Sequence, residues 1–222
     1  MIHVAIVDDE ALVRVALRRI LETAGDIAVV VECDSRDAVA AIASAGPDLV
    51  LLDAVMPEPD GLTVLRGLRA LPEPPAVAML TAFDTSAHIS AAMRAGATGF
   101  LLKDTAVGTL IDAVRVLASG GTVFTPTVSR TVVGGYLGTG PGPGPDGEDT
   151  AALALLTTRE REVLVLLATG LPNSGIAVRL GITVATVKDH VRAVLRKLGT
   201  PNRVAAAVLA HRAGITQAAE RT

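Results

Sequence analysis

The chain has 222 residues, of which 50% are apolar, 2% aromatic and 19% charged, and its formal net charge is -3. That length accommodates two small domains, each able to bury a core of its own. No apolar run reaches the roughly 18 to 20 residues that cross a bilayer, the lone Cys33 excludes an internal disulfide or a zinc cage, and MIHVAIVDDE has no basic stretch leading into an apolar one; a reducing cytoplasmic setting without membrane contact is expected.

In chain order, HVAIV (3–7), DIAVVVE (26–32), DLVLLD (48–53), AVAML (76–80) and GFLL (99–102) are the strand candidates. Between them apolar residues recur at helical spacing: Leu12, Val13, Ala16, Leu17, Ile20 and Leu21, then Leu62, Leu65 and Leu68, then Leu110, Ile111, Val114 and Leu117. Strands that are apolar throughout, rather than at alternate positions, are covered on both faces, which is the pattern of a parallel sheet between helices. Five strands and five helices fit into about 120 residues, giving a doubly wound α/β domain over residues 1–122. GGYLGTGPGPGPDGEDTAA (134–152) alternates Gly with Pro and excludes helix and ladder alike, so residues 123–152 are assigned to a terminal extension and linker.

A second domain is expected over residues 153–216, followed by a tail at 217–222. Thr157 or Thr158, with Glu160 and Glu162 behind it, starts a capped helix whose apolar face is Val163, Leu164, Leu166 and Leu167, and Gly170 ends it. A short helix to Leu180 follows, with Pro172 at its start and Gly175 inside it, a residue that costs about 1 kcal/mol relative to Ala and predicts a shortened or frayed element. A third helix runs from the cap Thr183 to about Leu198, and a fourth starts near Asn202. Four short helices with tight Gly-bearing turns make a helix-turn-helix. On the third, Val184, Val187, Val191, Leu195 and Leu198 form the expected buried stripe, which turns Lys188, Asp189, Arg192 and Arg196 outward on a face suited to a DNA major groove.

Charge separates the same way. Residues 1–133 carry ten basic against sixteen acidic side chains, and residues 155–214 carry nine against three. An acidic half with a basic half fits a cation or phosphate site in the first and a polyanion partner for the second. Asp8 and Asp9 close the first strand and Asp53 the third, at the strand ends where such sheets place their sites. Three carboxylates at one rim call for a hard cation with oxygen ligands, Mg2+ being the expected ion. Thr81 and Lys103 at the fourth and fifth strand ends add a hydroxyl and an ammonium, completing a site for a phosphoryl group. Taken alone, the Asp8–Asp9 pair also fits a helix N-cap with a solvated neighbour.

VDDE, DAVMPEPDG, LTA and GATGFLLKD, in that order, resemble the receiver domain of two-component response regulators, and LTTREREVL, GITVATVKDHV and LRKLG resemble the LuxR-type helix-turn-helix of their NarL/FixJ class. The resemblance implies a flavodoxin-like, five-stranded receiver in which a sensor histidine kinase phosphorylates Asp53. It implies that Asp8, Asp9, Asp53 and the backbone carbonyl of Val55 hold Mg2+, that Thr81 and Lys103 contact the acyl phosphate, and that Phe100 is an aromatic switch. For the second domain it implies that Lys188, Asp189 and Arg192 face base edges, with Thr183, Thr186, His190, Arg196 and Lys197 near phosphates. Double-stranded promoter DNA, RNA polymerase and a second copy of the chain are the further expected partners. Asp189 is an acid on a face turned to DNA, a place for it only if it accepts a hydrogen bond, for instance from a cytosine amino group. Phosphorylation is expected to move Thr81 and Phe100 and to release or dimerise the recognition helix. The alternative is an atypical regulator, independent of phosphorylation and gated by a ligand or protein partner. An enzyme with Asp53 as nucleophile would need a general acid two residues on, where Val55 stands, so no enzymatic function beyond self-dephosphorylation is expected.

Overall fold

The amino-terminal strands are apolar at every position because both of their faces are covered. In the structure, a computed structural model that describes residues 1–81, 86–124, 128, 129 and 147–215, the order is β1 (Ile2–Val7), α1 (Ala11–Glu22), β2 (Ile27–Cys33), α2 (Ala38–Ala45), β3 (Leu49–Asp53), α3 (Gly61–Arg69), β4 (Ala76–Thr81), α4 (Ser86–Arg94), β5 (Gly99–Leu102) and α5 (Val107–Ala118). The strands form one parallel sheet in the order β2-β1-β3-β4-β5. On one face Val4, Ile6, Leu49, Leu51, Ala78, Leu80 and Leu101 pack with Leu17 and Leu21 of α1 and Leu110, Val114 and Leu117 of α5. The pleat sends the alternate residues Ala5, Val7, Val50, Leu52, Val77 and Met79 to the opposite face, where they are equally buried. Each fully buried leucine contributes about 1.5–3 kcal/mol.

Register turns this sheet into a device for gathering polar residues. Val7 pairs with Leu52, Asp53 with Leu80 and Thr81 with Leu102. The next residue on each of β1 and β5, Asp8 and Lys103, therefore comes off the same carboxyl-terminal edge as Asp53 and Thr81. The strand order reverses between β1 and β3, which opens a crevice at that edge.

The chain divides into two units, Met1–Ala118 with Thr122–Val132, and Ser119–Gly121 with Val133–Thr222. The second contains α6 (Gly147–Ala154), α7 (Thr158–Ala168), α8 (Asn173–Leu180), α9 (Val184–Lys197) and α10 (Arg203–Arg212). Residues 147–152, expected in the linker, are thus helical. No proline follows Pro145 there, alanines favour the helix, and Leu153 and Leu156 bury in the core of the unit. Residues 134–146 of the expected linker and the tail 217–222 lie outside the described residues.

Thr157 is the cap of α7, in a capping box: its hydroxyl accepts from Glu160 N, and Glu160 Oε2 accepts from Thr157 N at 2.7 Å. Gly175 does not shorten α8, which reaches Leu180 and ends on Gly181 with φ 63°. A Cβ at Gly175 would lie 3.3 Å from Leu171 Cδ2 and 3.4 Å from Pro172 Cδ, so the small residue lets the preceding turn pack against the helix. The expected stripe of α9 packs in the core at Val187, Val191, Leu195 and Leu198, joined by Val194, while Val184 is exposed. Val184 occupies the first turn, so extending the 3.6-residue period back from Val187 carries it past the packed elements.

Glu160 holds this unit at two ends. Its Oε2 also accepts from Lys197 Nζ at 2.7 Å, which ties the start of α7 to the end of α9. The Lys197 ammonium, followed by the Thr157 backbone N–H, holds the Glu160 carboxyl below its ordinary value of 4.5. A lowered folded-state pKa contributes stability above about pH 4.5, lost as pH falls through the folded value. Accordingly Glu160→Ala destabilises the carboxy-terminal unit by about 1–3 kcal/mol at pH 7, and the difference shrinks on acidification through that window. Hydrogen exchange at the α7 and α9 amides measures both.

Candidate functional sites

At the sheet edge Asp8 and Asp53 are buried, 0% and 3% exposed, whereas Asp9 is exposed. Lys103 Nζ lies 2.8 Å from Asp8 Oδ2 and 3.0 Å from Asp53 Oδ2, with Glu10 Oε1 at 3.8 Å. Val55 N donates to Asp53 Oδ1 at 3.2 Å, which folds the β3–α3 loop back onto the strand end. Gly61 is required by that return, since a Cβ there would overlap the Asp53 carbonyl oxygen. Thr81 is buried at the end of β4, next to Leu80, whose carbonyl accepts from Ala54 N at 2.8 Å.

These carboxylates do not cap α1. Its N-cap is Glu10, which makes no side-chain cap hydrogen bond. Asp8 Oδ1 accepts from Glu10 N at 2.9 Å, and Arg14 Nη1 donates to the Asp8 carbonyl at 2.6 Å, so the β1–α1 turn is fixed from both sides. Arg14 was not among the expected site residues. It stands one and a half helical turns from the acidic pair, and only the folded turn shows where its guanidinium goes.

One carboxylate oxygen from each of Asp8, Asp9 and Asp53 falls in a group whose members all lie within 4.8 Å of one another. Asp8 Oδ2 is buried, with the Lys103 ammonium at 2.8 Å. An all-oxygen donor set of three carboxylates, two of them buried, fits a hard divalent cation.

Burial pushes the Asp53 carboxyl above its ordinary value, and the Asp8 charge adds to this, against the lowering effect of Lys103 and Val55 N–H. Lys103 loses from burial, but its hydrogen bonds and charges at Asp8 and Asp53 raise it on balance. A raised carboxyl pKa means the folded state binds more protons than the unfolded state, so stability falls as pH rises from about 4 through the folded value. Asp53→Asn removes that penalty. In a chelator at pH 7 it raises the melting temperature by roughly a few degrees, and calorimetry of the two proteins checks it.

Phe100 lies on β5 with its side chain 3% exposed. Its N–H donates to Val123 O at 2.9 Å, Gly99 bridges Val123, and its ring faces that of Phe124 with centroids 6.3 Å apart and planes 38° apart. The segment after α5 is therefore bound to the candidate switch residue by main chain and side chain together. Nothing in the sequence points to Phe124, because the contact depends on where the chain turns after α5.

On α9, Thr183 is the N-cap and accepts from Thr186 N at 3.1 Å, and the two hydroxyls lie 2.8 Å apart. Both therefore have a structural task at the helix start. Asp189, Arg192 and Arg196 are exposed, and Lys188 and His190 are half-buried. Asp189 pairs with Arg192, Oδ1 to Nη1 at 3.3 Å. Lys197, expected near phosphate, places its ammonium 2.7 Å from Oε2 of the buried Glu160.

Residues 4–115 match the response regulator receiver domain family, and residues 154–210 match the luxR family of bacterial regulatory proteins. The chain is 36% identical over 217 residues to the uncharacterized transcriptional regulatory protein YxjL of Bacillus subtilis (strain 168), covering 97% of this chain and 98% of that one. It is 34% identical over 212 residues to the nitrate/nitrite response regulator protein NarL of Escherichia coli (strain K12), covering 94% of each. Among solved structures, the response regulator ChrA of a heme-sensing two-component system is 37% identical, with coverage of 96% and 98% and a TM-score of 0.50. With its strand-edge carboxylates and capped helix-turn-helix, this chain belongs to the two-component response regulators of the NarL/FixJ class, DNA-binding regulators controlled by phosphorylation.

Proposed function

We propose that Asp53 is the phosphoacceptor and that a sensor histidine kinase supplies the phosphoryl group. The observation that carries this reading is a carboxylate, 3% exposed at a strand end, with an ammonium at 3.0 Å and two further carboxylates beside it. An Asp53 oxygen attacks phosphorus, the nitrogen–phosphorus bond of the donor phosphohistidine breaks, and an acyl phosphate forms on Asp53. Asp8, Asp9 and Asp53, with the Val55 carbonyl, would hold Mg2+, which would supply charge neutralisation to a transfer that depends on positioning and charge more than on covalent help. Lys103 neutralises a further oxygen, and the Thr81 hydroxyl donates to another.

The new group brings roughly -1.5 to -2 charges and three acceptor oxygens to the rim. Lys103 and Thr81 turn toward it, and space opened beside Thr81 admits the Phe100 ring. Phe100 carries Phe124 and the segment after α5 with it, and this raises promoter affinity through release or dimerisation of the carboxy-terminal unit. There α9 enters the major groove with Lys188 and Arg192 at base edges, and Thr183, Thr186, His190 and Arg196 along the phosphates. Lys197 belongs to the same phosphate-facing set and pairs with Glu160 as well. The protein works in the cytoplasm; among the described residues no helix is long and apolar enough to cross a membrane. The acidic cluster beside Lys103 supports control by phosphorylation over gating by a ligand or protein partner.

Acetyl phosphate with MgCl2 should add one phosphoryl group to the purified chain, located at Asp53 by mass spectrometry and absent from Asp53→Asn. The modified chain should bind duplexes selected from a randomised library more tightly than the unmodified one. Lack of the modification, or unchanged affinity after it, rejects the reading. Phe124→Ala should take up the phosphoryl group as the parent does, while its gain in DNA affinity on phosphorylation falls at least severalfold. Gel-shift titrations of both forms measure that loss.

A further inference from the structure

We propose that Asp189 is a specificity-determining positioning residue whose carboxylate holds the Arg192 guanidinium in one pose, so that Arg192 discriminates guanine in the major groove. The inference rests on the reading of α9 as the helix that faces DNA.

Asp189 is the one acid among the fourteen residues of α9, VATVKDHVRAVLRK. Its side chain is 72% exposed, so nothing in the core requires it, and that of Arg192 is 41% exposed. An isolated carboxylate on a surface laid against phosphates is repelled by them and lowers general affinity. The structure gives this carboxylate an occupation other than a base. It accepts from Arg192 Nη1 at 3.3 Å, one helical turn along, in the i,i+3 arrangement that places both side chains on one face.

The pair changes what Arg192 can do. An arginine side chain alone samples many rotamers and attracts phosphate on any sequence. A guanidinium fixed by a carboxylate has less entropy to lose on meeting a base. The guanidinium carries five donors, and its planar fork matches guanine O6 and N7, the commonest specific arginine contact. The partial cancellation of charge meanwhile reduces attraction to phosphate. An acid next to the reading arginine therefore lowers affinity for all DNA and raises the contrast between one base pair and the rest. This differs from direct recognition of a cytosine amino group by Asp189, in which the carboxylate would read its own base pair without Arg192.

The test uses the full chain, phosphorylated with acetyl phosphate, on a duplex library with a randomised core. The measurements are relative affinity at each base pair and affinity for a scrambled duplex. Arg192→Ala loses a guanine preference at one base pair. Asp189→Ala weakens that same preference by about two- to fivefold, the equivalent of an exposed ion pair, while affinity for the scrambled duplex rises. Asp189→Asn keeps an acceptor for the guanidinium and retains the preference. In the Arg192→Ala background, Asp189→Ala changes no base preference further. If Asp189→Ala instead shifts the preference at a different base pair, and does so without Arg192 as well, Asp189 reads a base directly and the proposal is overturned. It is equally overturned if Asp189→Ala lowers only the thermal stability and leaves every preference in place, since the pair then serves the helix alone. If Arg192→Ala leaves both affinity and preference unchanged, α9 is not the DNA-facing helix, and the underlying reading fails instead.

Discussion

The amino-terminal domain turns on one ammonium held between two buried carboxylates. Lys103 reaches Asp8 at 2.8 Å and Asp53 at 3.0 Å. Two carboxylates this close cannot both ionise cheaply in a poorly solvated place, and a single lysine cancels only one of them. The negative charge left over fits a divalent cation, and the lysine adds a positive group beside it. The backbone sets this balance. Parallel register brings three strand ends to one line, and Gly61 lets the following loop close back over Asp53. A one-residue slip of β3 would turn Asp53 onto the opposite face of the sheet and separate it from Lys103.

The same register accounts for the route away from the site. Thr81 and Phe100 lie on adjacent strands, with Met79 paired to Phe100 and Thr81 to Leu102. Phe100 is on an edge strand, and Val123 covers part of that edge through a hydrogen bond to the Phe100 amide itself. Phe100 therefore touches the segment after α5 through a main-chain bond and an aromatic contact.

What the sequence made legible, and what it did not, follows from the range of the interactions concerned. Asp8, Asp53, Thr81 and Lys103 were readable because each directly ends an apolar strand, and a parallel sheet brings strand ends together whatever the details of packing. The helix caps Thr157, Thr183 and Asn202 are local, fixed by residues three positions away. Arg14 and Phe124 escaped notice because their contacts depend on how a turn closes in three dimensions. Val184 was misplaced because periodicity gives the direction of a side chain but not the length of the neighbouring element that would cover it. Residues 147–152 were read as linker by continuity with the Gly-Pro run before them, although their own composition is helical and two leucines just beyond anchor them.

Lys197 shows a related limit, and it bears on how the basic half works. Nine basic and three acidic side chains over residues 155–214 suggest a broad positive surface. In the structure each acid is matched to a base: Glu160 to Lys197, Glu162 to Arg159 and Asp189 to Arg192. Arg203 is withdrawn altogether, 9% exposed, with a guanidinium that donates to the Leu171 carbonyl at 2.6 Å and joins α10 to the turn before α8. The net charge of the unit is unchanged by such pairing, but its placement is not. Lys197 and Arg203 join helices, and Arg192 lies beside its acid, so the positive charge of the unit is concentrated rather than spread. Concentration favours discrimination over general attraction, since affinity for any DNA grows with the number of phosphates neutralised, while discrimination depends on a few donors held in fixed directions.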